Sequence, residues 1–189
     1  MIVKEILLST ATCLGREDIV AYLNGNTENV NEETINAVSV MVSLINIVLN
    51  ELAATYIPMV KTEGLAFSAN KFLFADLSEN IIEVEDVFDD YGNKVNYKIS
   101  GEYIVADLKT GVIKYHYLPK NYDLNDMIGY RETDVCKMTL VAGLAAEFSI
   151  SEGLFDEAVM WHKRFVDGVS AQTKPKNVKT KSRCYPPYQ

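Results

Sequence analysis

Histidine is the side chain that proteins use most often for metal binding and proton transfer near neutral pH, and this chain has only two, His116 and His162. Neither has another histidine four residues away or a cysteine close by, which are the spacings typical of zinc sites and of Cys–His catalytic pairs. His116 stands between Tyr115 and Tyr117 in a run typical of a β-strand. We therefore expect both histidines to have structural roles.

Acidic residues are concentrated at one place in the chain: Glu83, Glu85, Asp86, Asp89 and Asp90. Carboxylates at this density resemble an oxygen-rich cation site. However, the spacing differs from that of a calcium-binding EF-hand loop, and no glutamate stands at the later position where it would hold the cation with both oxygens. The pattern favours a strand with a solvated acidic face, followed by a hairpin turn.

The common sequence signatures of phosphate binding, dinucleotide binding and hydrolase nucleophiles are missing from this chain. Its three cysteines, Cys13, Cys136 and Cys184, lie far apart and include no C-x-x-C pair, so they predict a reducing compartment rather than disulfides or zinc. We predict that the protein is not an enzyme and uses no cofactor or metal. An enzyme with dispersed carboxylates or tyrosines remains an alternative.

Charge divides the chain into an acidic body and a basic tail. Residues 1–169 hold all 26 acidic residues and 13 of the 18 basic ones, which gives them a net charge of about −13. The tail, 170–189, has a charge of about +5, three prolines and no apolar period, so we expect an extended arm. This layout is typical of proteins that bind partners. The basic residues of the tail are Lys174, Lys176, Lys179, Lys181 and Arg183.

Hydrophobic periodicity predicts helices at about 2–23, 31–55, 130–151 and 154–169. Asn31, followed by two glutamates, is a good N-cap for the second helix. Polar residues interrupt that helix's apolar window, so we expect no membrane span. The stripe predicted to be buried on the second helix is Ile35, Val38, Val42, Ile45, Leu49 and Leu52, and on the last helix it is Phe155, Ala158, Val159, His162 and Phe165 or Val166.

Between these helices, residues 60–118 form short β-like runs separated by turns that contain Gly92, Gly101 and Gly111. We expect each of these glycines to supply a positive φ, and hairpin turns imply antiparallel pairing. The predicted fold is therefore α+β: a helical bundle with an inserted antiparallel β-meander. Residues 1–169 are expected to be a single domain, with 170–189 as its extended C-terminal arm.

This order of elements resembles the head-to-tail adaptor proteins of short-tailed bacteriophages, also called tail tubular or gatekeeper proteins. The resemblance covers most of residues 31–189 and is one of layout and patterning. The segments that carry it are Ile81-Ile-Glu-Val-Glu-Asp-Val-Phe, Tyr103-Ile-Val-Ala-Asp, Val112-Ile-Lys-Tyr-His-Tyr, Lys137-Met-Thr-Leu-Val-Ala-Gly-Leu-Ala-Ala-Glu-Phe and Asp156-Glu-Ala-Val-Met-Trp-His-Lys-Arg-Phe. Residues 1–30 have no clear match to this family and receive no role.

The resemblance implies a homo-oligomeric ring, commonly of twelve copies, that docks on the portal of a DNA-filled head. The next tail or neck ring would bind the other side, and double-stranded DNA would pass through the channel without specific binding. The protein would belong to the neck of the virion and be found in the host cytoplasm during assembly. The residues that would bind the portal are Lys174, Lys176, Lys179, Lys181, Arg183, Tyr185 and Tyr188.

The tail leaves two other interpretations open. Its lysines and arginine could neutralise phosphates while Tyr185 or Tyr188 stacks on bases, as in a regulatory protein outside any virion that binds nucleic acid. It could also be a merely solvated terminus.

Overall fold

The computed structural model describes residues 1–26 and 30–173 and has an α+β fold. The helices in this part of the chain are α1 (Val3–Cys13), α2 (Glu17–Leu23), α3 (Glu32–Glu51), α4 (Lys137–Ser151) and α5 (Phe155–Thr173). A short π-helix, Leu52–Tyr56, continues α3. The strands are β1 (Met59–Ala66), β2 (Lys71–Leu73), β3 (Ile81–Phe88), β4 (Tyr97–Ser100), β5 (Tyr103–Ala106) and β6 (Thr110–Tyr117).

The strands pair into two three-stranded sheets, and every pairing is antiparallel, as predicted. The predicted meander order is wrong, because the sheets have the orders β1-β6-β3 and β2-β5-β4. Strand β6 lies at the centre of the first sheet because it buries alternate side chains: Ile113 and Tyr115 are fully buried. A strand that buries such a face is stabilised most by a partner on each side.

The glycines of the predicted turns have two different roles. Gly92 and Gly101 have φ angles of +83° and +61°, as predicted. Gly111 does not have a positive φ. It is required for space instead, because a Cβ atom there would lie 2.5 Å from the carbonyl oxygen of Phe88 on the paired strand β3.

Helix α4 is the centre of the helical part of the molecule. Its residues are buried on nearly all sides, and α1, α3 and α5 each pack against it. The helices approach closely at Gly143, where a Cβ atom would lie 2.8 Å from Val48 of α3 and 3.0 Å from Phe165 of α5. A small residue at this position therefore allows α3 and α5 to pack on the same helix.

The N-terminal residues belong to this helical core. Val3, Ile6 and Leu7 are fully buried. The first backbone N–H groups of α1, which have no partner inside the helix, donate to the 119–136 segment: the N–H of Val3 to Asp126 O at 3.1 Å and that of Lys4 to Leu124 O at 2.8 Å. Residues 1–23 thus close one side of the core, although sequence reasoning assigned them no role.

Two helix boundaries differ from the prediction. Helix α4 begins at Lys137 rather than near Tyr130, because residues 131–135 form a turn in which Arg131 pairs with Asp134 at 2.8 Å. Helix α5 continues to Thr173, so the first four residues of the predicted arm are helical.

Helix α3 begins as predicted, since the Asn31 side chain accepts a hydrogen bond from the N–H of Thr34 at 2.8 Å. Within the described residues, Glu32–Tyr56 is the one helical stretch whose length and composition would suffice to cross a membrane. The core helix of a water-soluble protein passes the same test, and 44% of the most apolar window is buried inside the protein. The absence of a membrane span stays a prediction.

Candidate interaction surfaces

The residues predicted to bind the portal all lie outside the described residues: Lys174, Lys176, Lys179, Lys181, Arg183, Tyr185 and Tyr188. Their role stays a prediction. The described chain ends with α5 at Thr173, which fixes the point on the molecule from which the tail starts.

The outer face of α3, opposite the core, carries no charge between Glu33 and Glu51. Ile35, Val40 and Ile47 are 47%, 41% and 53% exposed, so the prediction that Ile35 belongs to the core is wrong. Ser39 and Ser43 lie among them, and the Ser43 hydroxyl donates to Ser39 O at 3.2 Å. The outer face of a surface helix is normally rich in charged side chains, so this face has the composition of a buried contact.

A stripe of exposed apolar side chains on α5, bordered by the exposed charged residues Asp156, Glu157 and Lys163, forms a second candidate surface. Its buried stripe is Ala158, Trp161, Phe165 and Val169. The predicted stripe was wrong at Phe155 and Val159, which are 66% and 71% exposed, and at His162, which is also exposed. Leu154 and Ile150 at the α4–α5 corner, each 48% exposed, extend this surface.

These two surfaces lie on helices that pack against the same central helix. Both α3 and α5 pack on α4 at Gly143, and Tyr56 meets Phe165 edge-on with ring centres 6.0 Å apart. The exposed apolar side chains of α3 and α5 take no part in these contacts, and they belong to different helices.

The acidic cluster of the first sheet forms pairs and turn contacts. Glu85 accepts from Lys114 at 2.6 Å, and Asp86 pairs with Lys94 at 2.8 Å. Asp89 accepts from the side-chain amide of Asn93 at 3.0 Å and from its backbone N–H at 2.8 Å, and these turn hydrogen bonds lower the pKa of the Asp89 carboxyl. The expected solvated strand face and turn are confirmed, and no group of three or more potential metal ligands occurs in residues 1–26 and 30–173.

A second polar cluster joins β1 to the segment before β3. Glu63 accepts from the Ser78 hydroxyl and, at 3.0 Å, from the Tyr115 hydroxyl. Burial raises the pKa of Glu63, but the hydrogen bonds from Ser78 and Tyr115 and the charge of Lys61 outweigh it, so the pKa lies below its usual value. Burial raises the pKa of Tyr115, so its phenol stays protonated and donates. The cluster therefore acts as a crosslink between chain segments.

The histidines and the described cysteines lie in separate places. His116 lies 3.5 Å from Glu85 on the first sheet, and the ring of His162 lies 6.3 Å from that of Phe165. Cys13 and Cys136 are exposed free thiols. The structural roles expected for the histidines stay a prediction.

Comparison with models of known protein families finds no match to this chain, and comparison with curated protein sequences finds none either.

Proposed function

We propose that this protein is a structural subunit that assembles with copies of itself into a ring and serves as a head-to-tail adaptor of a short-tailed bacteriophage. The observation that carries the assembly step is the uncharged outer face of α3, where Val40 and Ile47 are exposed along a helix that has no charge between Glu33 and Glu51.

The proposed ring uses the two apolar surfaces as its two sides, since they lie on different helices. A contact between the α3 face of one subunit and the α5 face of the next joins two different surfaces. Such a head-to-tail contact repeats around a circle and closes into a ring when the rotation between neighbours allows it. In such a contact the small side chains Ser39 and Ser43 of α3 would face the large exposed side chains Phe155 and Val159 of α5.

The adaptor role is supported by the resemblance of layout and by the charge distribution. In an adaptor ring the acidic body would repel DNA and let it pass without specific binding, while the basic tail would dock on the portal. The next neck or tail ring would bind the opposite side, and the assembled protein would lie in the neck of the virion.

Charge introduced on the α3 face tests the assembly. We expect Ile47→Lys and Val40→Lys to convert the oligomer into monomers, because a buried lysine without a partner destabilises a helix contact. Size-exclusion chromatography with light scattering measures the mass. Ile99→Lys is the matched control, since Ile99 is also exposed, at 58%, but lies on β4. A native chain that is monomeric at all concentrations would contradict the proposal.

Co-expression with the portal protein of the same genome tests the adaptor role. We expect the full chain to elute with the portal as one ring on another, and a chain that ends at Thr173 to elute separately. If neither chain binds the portal while the full chain binds double-stranded DNA with a strong dependence on salt, the alternative of a nucleic-acid-binding module is favoured.

A further inference from the structure

A groove of about 370 Å³ lies between the start of α4 and the second half of α5. Trp161 and Ala142, both buried, contribute to its floor, and Met138 and Cys136, both exposed, lie at its rim. Its lining is mostly apolar. The volume is in the range of sites that hold small ligands or a few side chains.

Two features distinguish this groove from an ordinary surface depression. Met138 is 54% exposed, although its neighbours on α4 are almost all buried. The amide nitrogen of Gln172 donates to the Thr139 hydroxyl at 3.1 Å, but its oxygen is shielded from solvent and accepts no hydrogen bond from the described residues. A shielded acceptor without a donor is costly, so this end of the groove is less well satisfied than an ordinary helix contact.

We propose that residues 185–188 of the same chain, Tyr-Pro-Pro-Tyr, occupy this groove. Consecutive prolines favour the polyproline II conformation, which has little conformational entropy to lose on binding and docks in grooves lined by aromatic side chains. The tyrosines supply rigid contact area with a polar end that can stay at the solvent-exposed rim. The guanidinium of Arg164, 4.6 Å from the centre of the Trp161 ring, offers a flat surface on which a tyrosine can stack.

The length of the tail and its starting point fit this occupant. The groove runs back along α5 from Gln172 to Trp161, a distance of about 17 Å at the rise of an α-helix. Residues 174–184 connect the end of α5 to the proposed binding segment, and this length of chain can span about 36 Å when extended. The tail can therefore reverse direction and reach the whole groove without strain.

Docking of the tail in this groove does not require ring assembly. The tail that we propose to bind the portal would first be bound to its own subunit. A tail held there must be released before it can bind the portal, so groove and portal compete for the same residues.

The cysteines provide a direct test, because Cys136 lies at the rim of the groove and Cys184 immediately precedes the proposed binding segment. In the full-length chain with Cys13→Ser, mild oxidation at low protein concentration should form an intrachain Cys136–Cys184 disulfide, detected by mass spectrometry of the digest. The matched control is the same chain with Tyr185→Ala and Tyr188→Ala. It keeps both cysteines and the tail length, and its rate of disulfide formation should be at least about tenfold lower.

Trp161 is the only tryptophan in the chain and gives a second measurement without oxidation. We expect Tyr185→Ala/Tyr188→Ala to increase the quenching of its fluorescence by acrylamide, while the melting temperature stays the same. Disulfide rates within twofold of each other, together with unchanged quenching, would overturn the proposal. A disulfide that forms only between chains would also overturn it, because the tail would then bind another molecule.

Discussion

At the scale of single residues, Gly111 occupies a position where a side chain has no space. A Cβ atom at this position would lie 2.5 Å from the carbonyl oxygen of Phe88 on β3. Gly111→Ala must therefore push β6 away from β3. We expect a loss of about 1–3 kcal/mol in the free energy of unfolding, measured by urea denaturation. Gly64→Ala is the control, because nothing lies within 4 Å of its Cβ position, and it should leave the stability unchanged or raise it by up to about 1 kcal/mol.

A second residue-scale contact joins α2 to α3. Arg16 donates two hydrogen bonds to the Asp18 carboxylate, at 3.0 Å and 2.9 Å, and the Thr34 hydroxyl donates a third at 3.0 Å. The hydrogen bond from Arg16 is the main reason why the pKa of Asp18 falls from 3.8 to about 2, with Thr34 contributing and burial opposing. Because the folded pKa is the lower one, this contact stabilises the protein above pH 4 and is lost as the pH falls towards 2.

Asp18→Asn tests this pH dependence. Since the Asp18 side chain is 42% exposed, solvent screening limits the contribution, and we expect a loss of about 1 kcal/mol at pH 7. The difference between the native chain and the variant should shrink between pH 4 and pH 2, as measured by urea denaturation at each pH. Parallel stability curves down to pH 2 would show that the Asp18 charge contributes nothing.

At the scale of elements, Asn46 attaches the long connection before α4 to helix α3. Its amide nitrogen donates to Tyr122 O at 3.0 Å, and its side-chain oxygen accepts from the N–H of Tyr122 at 2.8 Å. We expect Asn46→Ala to lower the free energy of unfolding by about 1–3 kcal/mol, since it leaves two backbone groups without partners. Ser43→Ala is the control, because its hydroxyl bonds only within the same helix. Equal melting curves for the two variants would contradict this role.

The existence and type of most elements could be predicted from the sequence because local chemistry specifies them. Asn31 caps α3, and Gly92 and Gly101 turn the chain where a positive φ is needed. The buried face of α5 could not be predicted, because Phe155 and Val159 are as apolar as Trp161 and Phe165. Only packing on α4 decides which of these side chains are covered.

The candidate surfaces differ in how far the sequence indicates them. The α3 face is visible in the sequence as a long stretch without charge, although of its exposed apolar residues the sequence prediction placed only Ile35, and wrongly, in the core. The groove is not visible, because it combines residues 136–142 with residues 161–172, and no local pattern indicates that these segments face each other. The strand order also depends on distant segments, since β1 and β6 pair across about fifty residues.

At the scale of the whole molecule, the buried side chains form two hydrophobic clusters. The larger one joins the helices and the segment from Tyr122 to Val135. The smaller one lies between the strands and contains Ile113 and Tyr115. Tyr117, half-buried at the end of β6, packs against both clusters, so it couples the sheets to the helices.

We expect the strand cluster to open before the helical one, because it buries much less apolar surface and stability rises with the area buried. Hydrogen exchange measured at increasing urea should give lower opening free energies for β3 and β5 than for α4.

Tyr117→Ala should widen this difference between strands and helices, since it removes the side chain that contacts both clusters. Tyr97→Ala is the control, as this ring packs only against the strand cluster; it should lower the opening free energy of the strands by itself. If strands and helices have the same opening free energy in the native chain and in both variants, the two clusters unfold as one unit.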